Sequence, residues 1–514
     1  MATDAATDTT ASAPTAVVVG GGISGLLAAR ELARAGVRTT VLEASGAWGG
    51  CVGSHVVAGL TLDSGAESFA TRSAAVASLA EELGLGAQIV PPNPGGAWVQ
   101  LPEGPRELPK TGVLGIPANP WDPEVRRSLG LLGSLRASLD ALLPASAGTA
   151  AEAASVAALV RARMGKRVLE RLVAPVVGGV HSADPALLDV DMVAPGLRAG
   201  IRTHGSLAAA VAAQRRGAGP RLGAPGSSAP APGAQQPGLQ KAGSAVAGLR
   251  GGMHTLVTAL LTELRGLDVT LLSGTRVDAA QRIPGGWRAT AGQATFDAER
   301  LVVAVEGPAA VSLLAGTLPA LAALRPDAGP DVRLVTLVLD SPALDAAPRG
   351  TGVLVAPQSP GIRTKALTHA TAKWAWLAER TAPGRHVLRL SYGRGANVPD
   401  GAATPEPRSD EELFDAALQD AAALLAVPLS RTDVVGWDVV RWSGALPFAA
   451  LGHKRRVEQV RQLCAAEGGL AVVGGWLSGN GLAAIVADTP KQVAALVPWS
   501  LPPEPERRPR HGSR

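Results

Sequence analysis

The residues with the clearest capacity for chemistry lie in Val17-Val18-Val19-Gly20-Gly21-Gly22-Ile23-Ser24-Gly25, where an apolar run meets a GxGxxG turn. Gly20 permits a tight turn, Gly22 lets backbone approach a pyrophosphate, and Gly25 lets the following helix pack closely on the strand. The start of that helix, at Ile23 and Ser24, offers free N–H groups and the positive end of a dipole to phosphates. A second apolar run, Thr39 to Leu42, ends in Glu43 about 20 residues on, where a carboxylate can accept hydrogen bonds from ribose hydroxyls. Strand, turn, helix, strand and acid in this order predict a dinucleotide site. The negative charge of Glu43 disfavours a 2′-phosphate, which removes NADP and leaves NAD and FAD.

The next residues separate those two. Glu43-Ala44 is followed by Gly49-Gly50-Cys51-Val52-Gly53-Ser54 and by Leu62-Asp63-Ser64-Gly65-Ala66-Glu67-Ser68. This resembles the extended FAD motif of the amine-oxidase and protoporphyrinogen-oxidase superfamily. The resemblance implies that Gly50, Cys51 and Val52 pass along the cofactor and that Gly65, Ala66, Glu67 and Ser68 approach the flavin. It also implies that Val277, in Thr275-Arg276-Val277, brackets the adenine, and that Trp442 packs beside the flavin. Val473-Gly474-Gly475-Trp476 and Gly479-Asn480-Gly481-Leu482-Ala483-Ala484 resemble the second glycine turn of these oxidases. There Gly475, Gly481, Leu482 and Ala483 would bring a helix N-terminus to the flavin, which is held without a covalent link.

A narrower resemblance comes from the middle of the chain. Arg171-Leu172-Val173-Ala174-Pro175-Val176-Val177-Gly178-Gly179-Val180-His181, Leu249-Arg250-Gly251-Gly252-Met253, Lys365-Ala366-Leu367-Thr368 with Lys373-Trp374, Leu388-Arg389-Leu390-Ser391-Tyr392-Gly393-Arg394, and Arg441-Trp442-Ser443-Gly444-Ala445-Leu446-Pro447 all resemble protoporphyrinogen or coproporphyrinogen oxidases, notably their Gram-positive branch. The resemblance implies removal of six electrons from a porphyrinogen in three flavin cycles, with oxygen as acceptor and peroxide as product, in haem biosynthesis. It favours coproporphyrinogen III and leaves protoporphyrinogen IX open. It admits a downstream haem-pathway enzyme as partner, and peripheral contact with the inner face of the cell membrane through a helical lobe. No side chain is nominated as catalytic acid or base, because orientation of a meso C–H and loss of pyrrole protons suffice. Arg72 and, more weakly, Lys365 are the cations expected at the rim for substrate carboxylates.

Some residues depart from that pattern. Cys51 and Gly53 stand where many relatives carry a cation, Phe448-Ala449 replaces a polar and aromatic pair, and Glu306 occupies a strand end that is commonly neutral. Two other readings stay open: an FAD-dependent amine oxidase, disfavoured by a single tyrosine, Tyr392, and 3% aromatic residues, and a non-catalytic FAD- or porphyrin-binding homologue.

The elements that must position these residues follow from punctuation and composition. With 514 residues, 46% hydrophobic and 18% charged, the chain can bury several cores, at roughly 150 residues per domain. The expected fold is α/β: a discontinuous Rossmann-like FAD-binding domain, an α+β substrate domain and a helical lobe. The FAD domain is expected at residues 16–95, 245–325 and 435–500, the substrate domain at 96–110 and 326–434, and the helical lobe at 111–213. Residues 1–15 are expected to be a disordered N-terminus without an export signal, 214–244 a flexible Pro/Gly insertion, and 501–514 a basic tail. The net charge of +5 is spread along the chain, which argues against a nucleic-acid surface. Two cysteines, Cys51 and Cys464, build neither a disulfide framework nor a Cys-based metal site, so no metal is expected and the location reads as cytoplasmic.

Overall fold

A run such as Val17-Val18-Val19 has no polar face, so it needs apolar cover on both sides. The computed structural model, which describes residues 13–110, 112–149, 154–217, 246–393, 407, 409–444 and 449–497, supplies that cover. Among these residues, five parallel strands pair in the order Thr270–Leu272, Arg38–Leu42, Thr15–Val19, Arg300–Val303 and Leu470–Val472. Ala16 and Val18 pack with helices Ile23–Arg34, His254–Gly266 and Leu482–Val493. Val17 and Val19 pack the other way, with Trp287 of a three-stranded meander and with helices Gly307–Leu314 and His453–Ala466. The chain thus leaves and re-enters one sheet, and both glycine turns emerge at its carboxyl edge, where ligands of such sheets bind.

A second sheet of seven strands carries the order Val434–Trp442, Val332–Asp340, Arg385–Tyr392, Ala366–His369, Gly352–Val355, Ala97–Leu101 and Gly104–Glu107. Side chains alternate across it. Leu388, Leu390 and Tyr392 face helix Asp410–Leu425 in a continuous core, whereas Val387 belongs to a different cluster, beneath Trp374 and Leu62. Helix Asp410–Leu425 takes its start from a local cause. Ser409 caps it by accepting the Glu412 N–H, and Asp410, Glu411 and Glu412 sit in the first turn at the positive dipole end. One expected boundary moves. Strand Val434–Trp442, expected at the opening of the last FAD-domain segment, pairs antiparallel with Val332–Asp340 and so extends the second sheet.

The helical lobe has its own core, built from Val125, Leu129, Leu159, Val160, Leu172, Val177, Ile201 and Val211 among others. At its centre Arg163 is fully buried, with Nε on Asp140 Oδ1 at 2.5 Å and its remaining N–H groups on the carbonyls of Pro144, Ala147, Asp140 and Gly205. Helix Leu207–Gly217 corrects the expected start of the flexible insertion at 214, because the Ala-rich run sustains helix through Arg215 and Arg216. The rest of that insertion and the tail from 501 lie outside the described residues.

Candidate cofactor and substrate site

Strand Thr15–Val19 delivers the chain into the first glycine turn. Gly20 takes φ +107, and a Cβ there would lie 2.6 Å from the Ala304 carbonyl oxygen. A Cβ at Gly25 would collide with the carbonyl oxygen of Gly20, so helix and strand meet at the closest approach glycine allows. Gly22 faces open space instead. The helix that follows has no side-chain cap and no acidic residue in its first turn. The N–H groups of Ile23, Ser24 and Gly25 are therefore donors without an intrahelical acceptor. Glu43 binds the turn: its Oε2 accepts the Gly21 N–H at 2.6 Å and its Oε1 the Ser45 N–H at 2.7 Å. Each oxygen keeps a lone pair for a ribose hydroxyl. Ala44 beside it is exposed. The Thr275 N–H donates to the Glu43 carbonyl at 2.7 Å, which holds the segment leading to Val277 against this edge. Val277 itself is buried in the core under the sheet.

The two loops after the second strand are tied to this turn and to each other. The Gly49 N–H donates to Gly21 O, the Ala66 N–H to Cys51 O, and the Ser64 N–H to Gly53 O, each at 2.8 to 3.0 Å. Gly50 follows Gly49 beside Gly22, and Val52 enters the core of the first sheet. Gly65 packs on the Cys51 carbonyl, where a Cβ would not fit. Burial pushes the Cys51 thiol up to about 11, so it stays protonated and unreactive. At the other end, Gly475 opens the short helix Gly475–Ser478, and Gly481, with φ +106, leads into helix Leu482–Val493. That helix also lacks a side-chain cap and an acidic first turn, and Leu482 and Ala483 pack against the core that holds Ile23 and Leu27. Two uncapped helix starts, open space at Gly22 and Gly481, and a carboxylate at Glu43 fit a long dinucleotide lying along the carboxyl edge of the sheet.

Comparison with known proteins agrees with this cradle. The family described as flavin containing amine oxidoreductase matches residues 23–488. The chain belongs to that family. A coproporphyrinogen III oxidase from Propionibacterium freudenreichii subsp. freudenreichii is 31% identical over 95% of this chain and 92% of its own. The coproporphyrinogen III oxidase of Bacillus subtilis (strain 168) is 26% identical over 91% of this chain and 94% of its own. A solved structure from Exiguobacterium sp. 255-15, provisionally assigned as a protoporphyrinogen oxidase, superposes with TM-score 0.74 at 25% identity, covering 94% of this chain and 99% of the other. Cyclohexylamine oxidase from Brevibacterium oxydans IH-35A shares the fold, with TM-score 0.59 at 18% identity over 94% and 99% of the two chains. FAD is the cofactor of this scaffold, and the residues just described would hold it.

In this flavin-containing oxidoreductase the second sheet is fastened directly to the Ser64–Glu67 loop. Trp442 Nε1–H donates to Ser64 O at 2.8 Å, so the tryptophan is an anchor between sheet edge and loop. Arg389 donates through Nη2 to Gly65 O and through Nη1 to Glu67 Oε2, both at 2.7 Å, and the Lys373 ammonium donates to Glu67 Oε1. Burial raises the Glu67 carboxyl, but Lys373 and Arg389 outweigh it and hold the group down at about 2. Glu67 is therefore ionised and engaged with one cation from the second sheet, Arg389, and one from the short helix Ala370–Lys373. Ser68, next to it, precedes the short strand Phe69–Ala70. The sequence contained these partners, since Lys373 and Arg389 both lie in the segments that carry the porphyrinogen-oxidase resemblance, but no local pattern couples them to Glu67.

The two expected substrate cations are placed differently. Arg72 is exposed, with no ion-pair or hydrogen-bond partner among the described residues. Lys365 is 1% exposed and does not reach a rim: its ammonium donates to Ser182 Oγ of the helical lobe and to the carbonyls of Tyr392 and Gly393 at 3.2 and 3.0 Å. It is a strut, because a buried ammonium must spend its donors on nearby oxygens. His181, one residue from that strut, has Nδ1 at 3.0 Å from Asn480 Nδ2 in the second glycine turn, and burial lowers it to about 4. Neutral His181 accepts there from the amide, joining the helical lobe to the cofactor edge. Asp63 accepts the N–H groups of Met253 and His254 and the His254 ring nitrogen, so it caps helix His254–Gly266.

Proposed function

We propose that this chain is an FAD-dependent coproporphyrinogen III oxidase of haem biosynthesis, using oxygen as acceptor. The observation that carries the reading is full-length likeness to coproporphyrinogen III oxidases together with a cofactor cradle whose glycines and helix starts are in place. The substrate loses six electrons and six protons, and three oxygen molecules become three peroxides. Bound FAD supplies hydride acceptance and delivery of the electron pair to oxygen. The chain supplies the rest. Amides at Ile23, Ser24 and Gly25 would hold the pyrophosphate, Glu43 the ribose, and the start of helix Leu482–Val493 the far edge of the cofactor. The Gly65–Ser68 loop, locked to the second sheet by Trp442 and Arg389, orients the macrocycle and excludes competing reactions. Pyrrole protons leave to water, and no side chain is required as acid or base.

Anaerobic mixing of the yellow protein with coproporphyrinogen III and, separately, protoporphyrinogen IX tests this. Fast bleaching of the flavin by coproporphyrinogen III, with porphyrin fluorescence after oxygen is admitted, is expected. Bleaching by protoporphyrinogen IX alone reassigns the substrate, and bleaching by neither removes the oxidase reading.

A second part of the proposal concerns location at the inner face of the cell membrane. Among the described residues no helix is long and apolar enough to cross a bilayer. Yet helix Pro123–Ser138 and the turn after it present Leu131, Leu132, Leu135, Leu139 and Leu142 at 43 to 80% exposure, beside exposed Arg126 and Arg127. Such a surface fits peripheral contact with anionic lipid. Flotation with phosphatidylglycerol vesicles is expected to carry the protein, and Leu132→Asp with Leu142→Asp to abolish it; equal flotation of the double variant removes this part.

A further inference from the structure

The ion cluster at Glu67 does not close. One carboxylate faces two cations, Lys373 and Arg389, which leaves one surplus positive charge in a largely buried setting. Arg389 is 9% exposed, and its Nε is buried without a hydrogen-bond partner. The Lys373 ammonium gives one donor to Glu67 and lies 5.0 Å from the Trp374 ring centre, with its side chain 16% exposed. Buried surplus charge is costly unless an anion completes it. The two most deeply buried cations among the described residues are already complete. Arg163 has its carboxylate and four carbonyls, and Lys365 has its three oxygens.

The position of the cluster defines the anion. Arg389 stands on the face of the second sheet opposite Leu388 and Leu390, and it shares that face with its register partner Thr368. Leu354, on the neighbouring strand and the same face, meets helix Ala174–His181 so tightly that a Cβ at Gly179 would lie 2.6 Å from its Cδ2. The same face therefore runs from the helical lobe to the Gly65–Glu67 loop. Val180, in the last turn of that helix, leaves an apolar side chain 53% exposed. An apolar flank with a cationic end suits a flat apolar ring bearing carboxylates at its edge, and a guanidinium with an ammonium matches a carboxylate better than either alone.

We propose that Lys373 and Arg389 together receive one carboxylate of the substrate, anchoring it by its edge against the Gly65–Glu67 loop. This rests on the porphyrinogen reading and deepens it. It makes the pair specificity-determining: substrates whose edge carries carboxylates are held, and esterified ones are not.

The test compares the flavin-loaded wild type with Lys373→Gln and Lys373→Arg, using coproporphyrinogen III and its tetramethyl ester. In Lys373→Gln, KM for the acid is expected to rise about tenfold with kcat within about twofold, KM for the ester to stay unchanged, and Lys373→Arg to restore the acid. A parallel titration follows quenching of coproporphyrin III fluorescence, which needs no turnover, and Kd is expected to rise in step with KM. An equal rise for acid and ester marks a merely structural role and overturns the proposal. So does a shift of the flavin midpoint potential with no change in Kd, since the surplus charge would then serve the cofactor. If wild-type flavin is not bleached, the reaction assignment falls separately, and equal Kd in wild type and Lys373→Gln overturns the anchor by itself.

Discussion

Arg163 in the helical lobe and Arg389 on the inner face of the second sheet are both buried and both held by a carboxylate, yet they end in different states. Arg163 and Asp140 form a pair in which the guanidinium donors meet Asp140 and four carbonyls, and the second Asp140 oxygen takes the Ala208 N–H at 2.8 Å. Every partner lies in the same lobe, and the pair is neutral. Around Arg389 the groups come from the cofactor loop, the second sheet and the Lys373 turn, one donor is unspent, and a positive charge is left over. A closed cluster is a piece of architecture. An open one beside a cofactor loop is a place for something to bind.

The comparison can be broken most directly at Arg163. Arg163→Met leaves Asp140 buried without its counter-charge and is expected to destabilise the protein by about 3–5 kcal/mol in guanidinium unfolding. Arg389→Met should cost less, about 1–3 kcal/mol, because Glu67 keeps Lys373; a loss equal to that at Arg163 would mean the two clusters are alike. Acid provides a third test. Glu67 titrates at about 2 in the folded protein against an ordinary 4.5, so its contribution is fully present above about pH 4.5 and is lost as pH falls from there toward 2. Glu67→Gln should remove that acid-dependent part of the unfolding curve and leave the curve between pH 7 and 5 parallel to wild type. The smallest effect is expected for Trp442→Phe, which deletes one hydrogen bond to Ser64 O and keeps the packing, costing about 0.5–1.5 kcal/mol. A larger cost there would shift weight from the ion cluster to the tryptophan as the main fastening of sheet to loop.

Legibility in the sequence followed the range of the interactions. The first glycine turn was readable because strand, turn, helix start and acid act over a few tens of residues; that Glu43 also accepts the Gly21 and Ser45 N–H groups was not. Helix Asp410–Leu425 is local in the same sense, because its cap and first-turn charges are adjacent to it. Lys365 was misread as a rim cation, since nothing in Lys365-Ala366-Leu367 tells that Ser182 and the Tyr392 and Gly393 carbonyls close over its ammonium. The edge at Trp442 was misread for the same reason: an alternating strand does not name its neighbour, and Val332–Asp340, a hundred residues earlier, claims it. The end of helix Leu207–Gly217 was set too early because small residues suit both a helix and a linker.

What the sequence determined by itself is the local chemistry: two glycine turns that leave helix starts uncapped, an acid after the second strand, and segments whose resemblance names a flavoprotein scaffold. Those features are set by backbone sterics and by groups near one another along the chain. The tertiary structure decided which charges are spent and which are left. Glu67 is separated from Lys373 and Arg389 by some three hundred residues, and only the docking of the second sheet and its following turn onto the loop of the first brings two cations to one carboxylate. Burial then gives the surplus charge its energetic meaning, because the same three side chains in water would be screened and indifferent to one another.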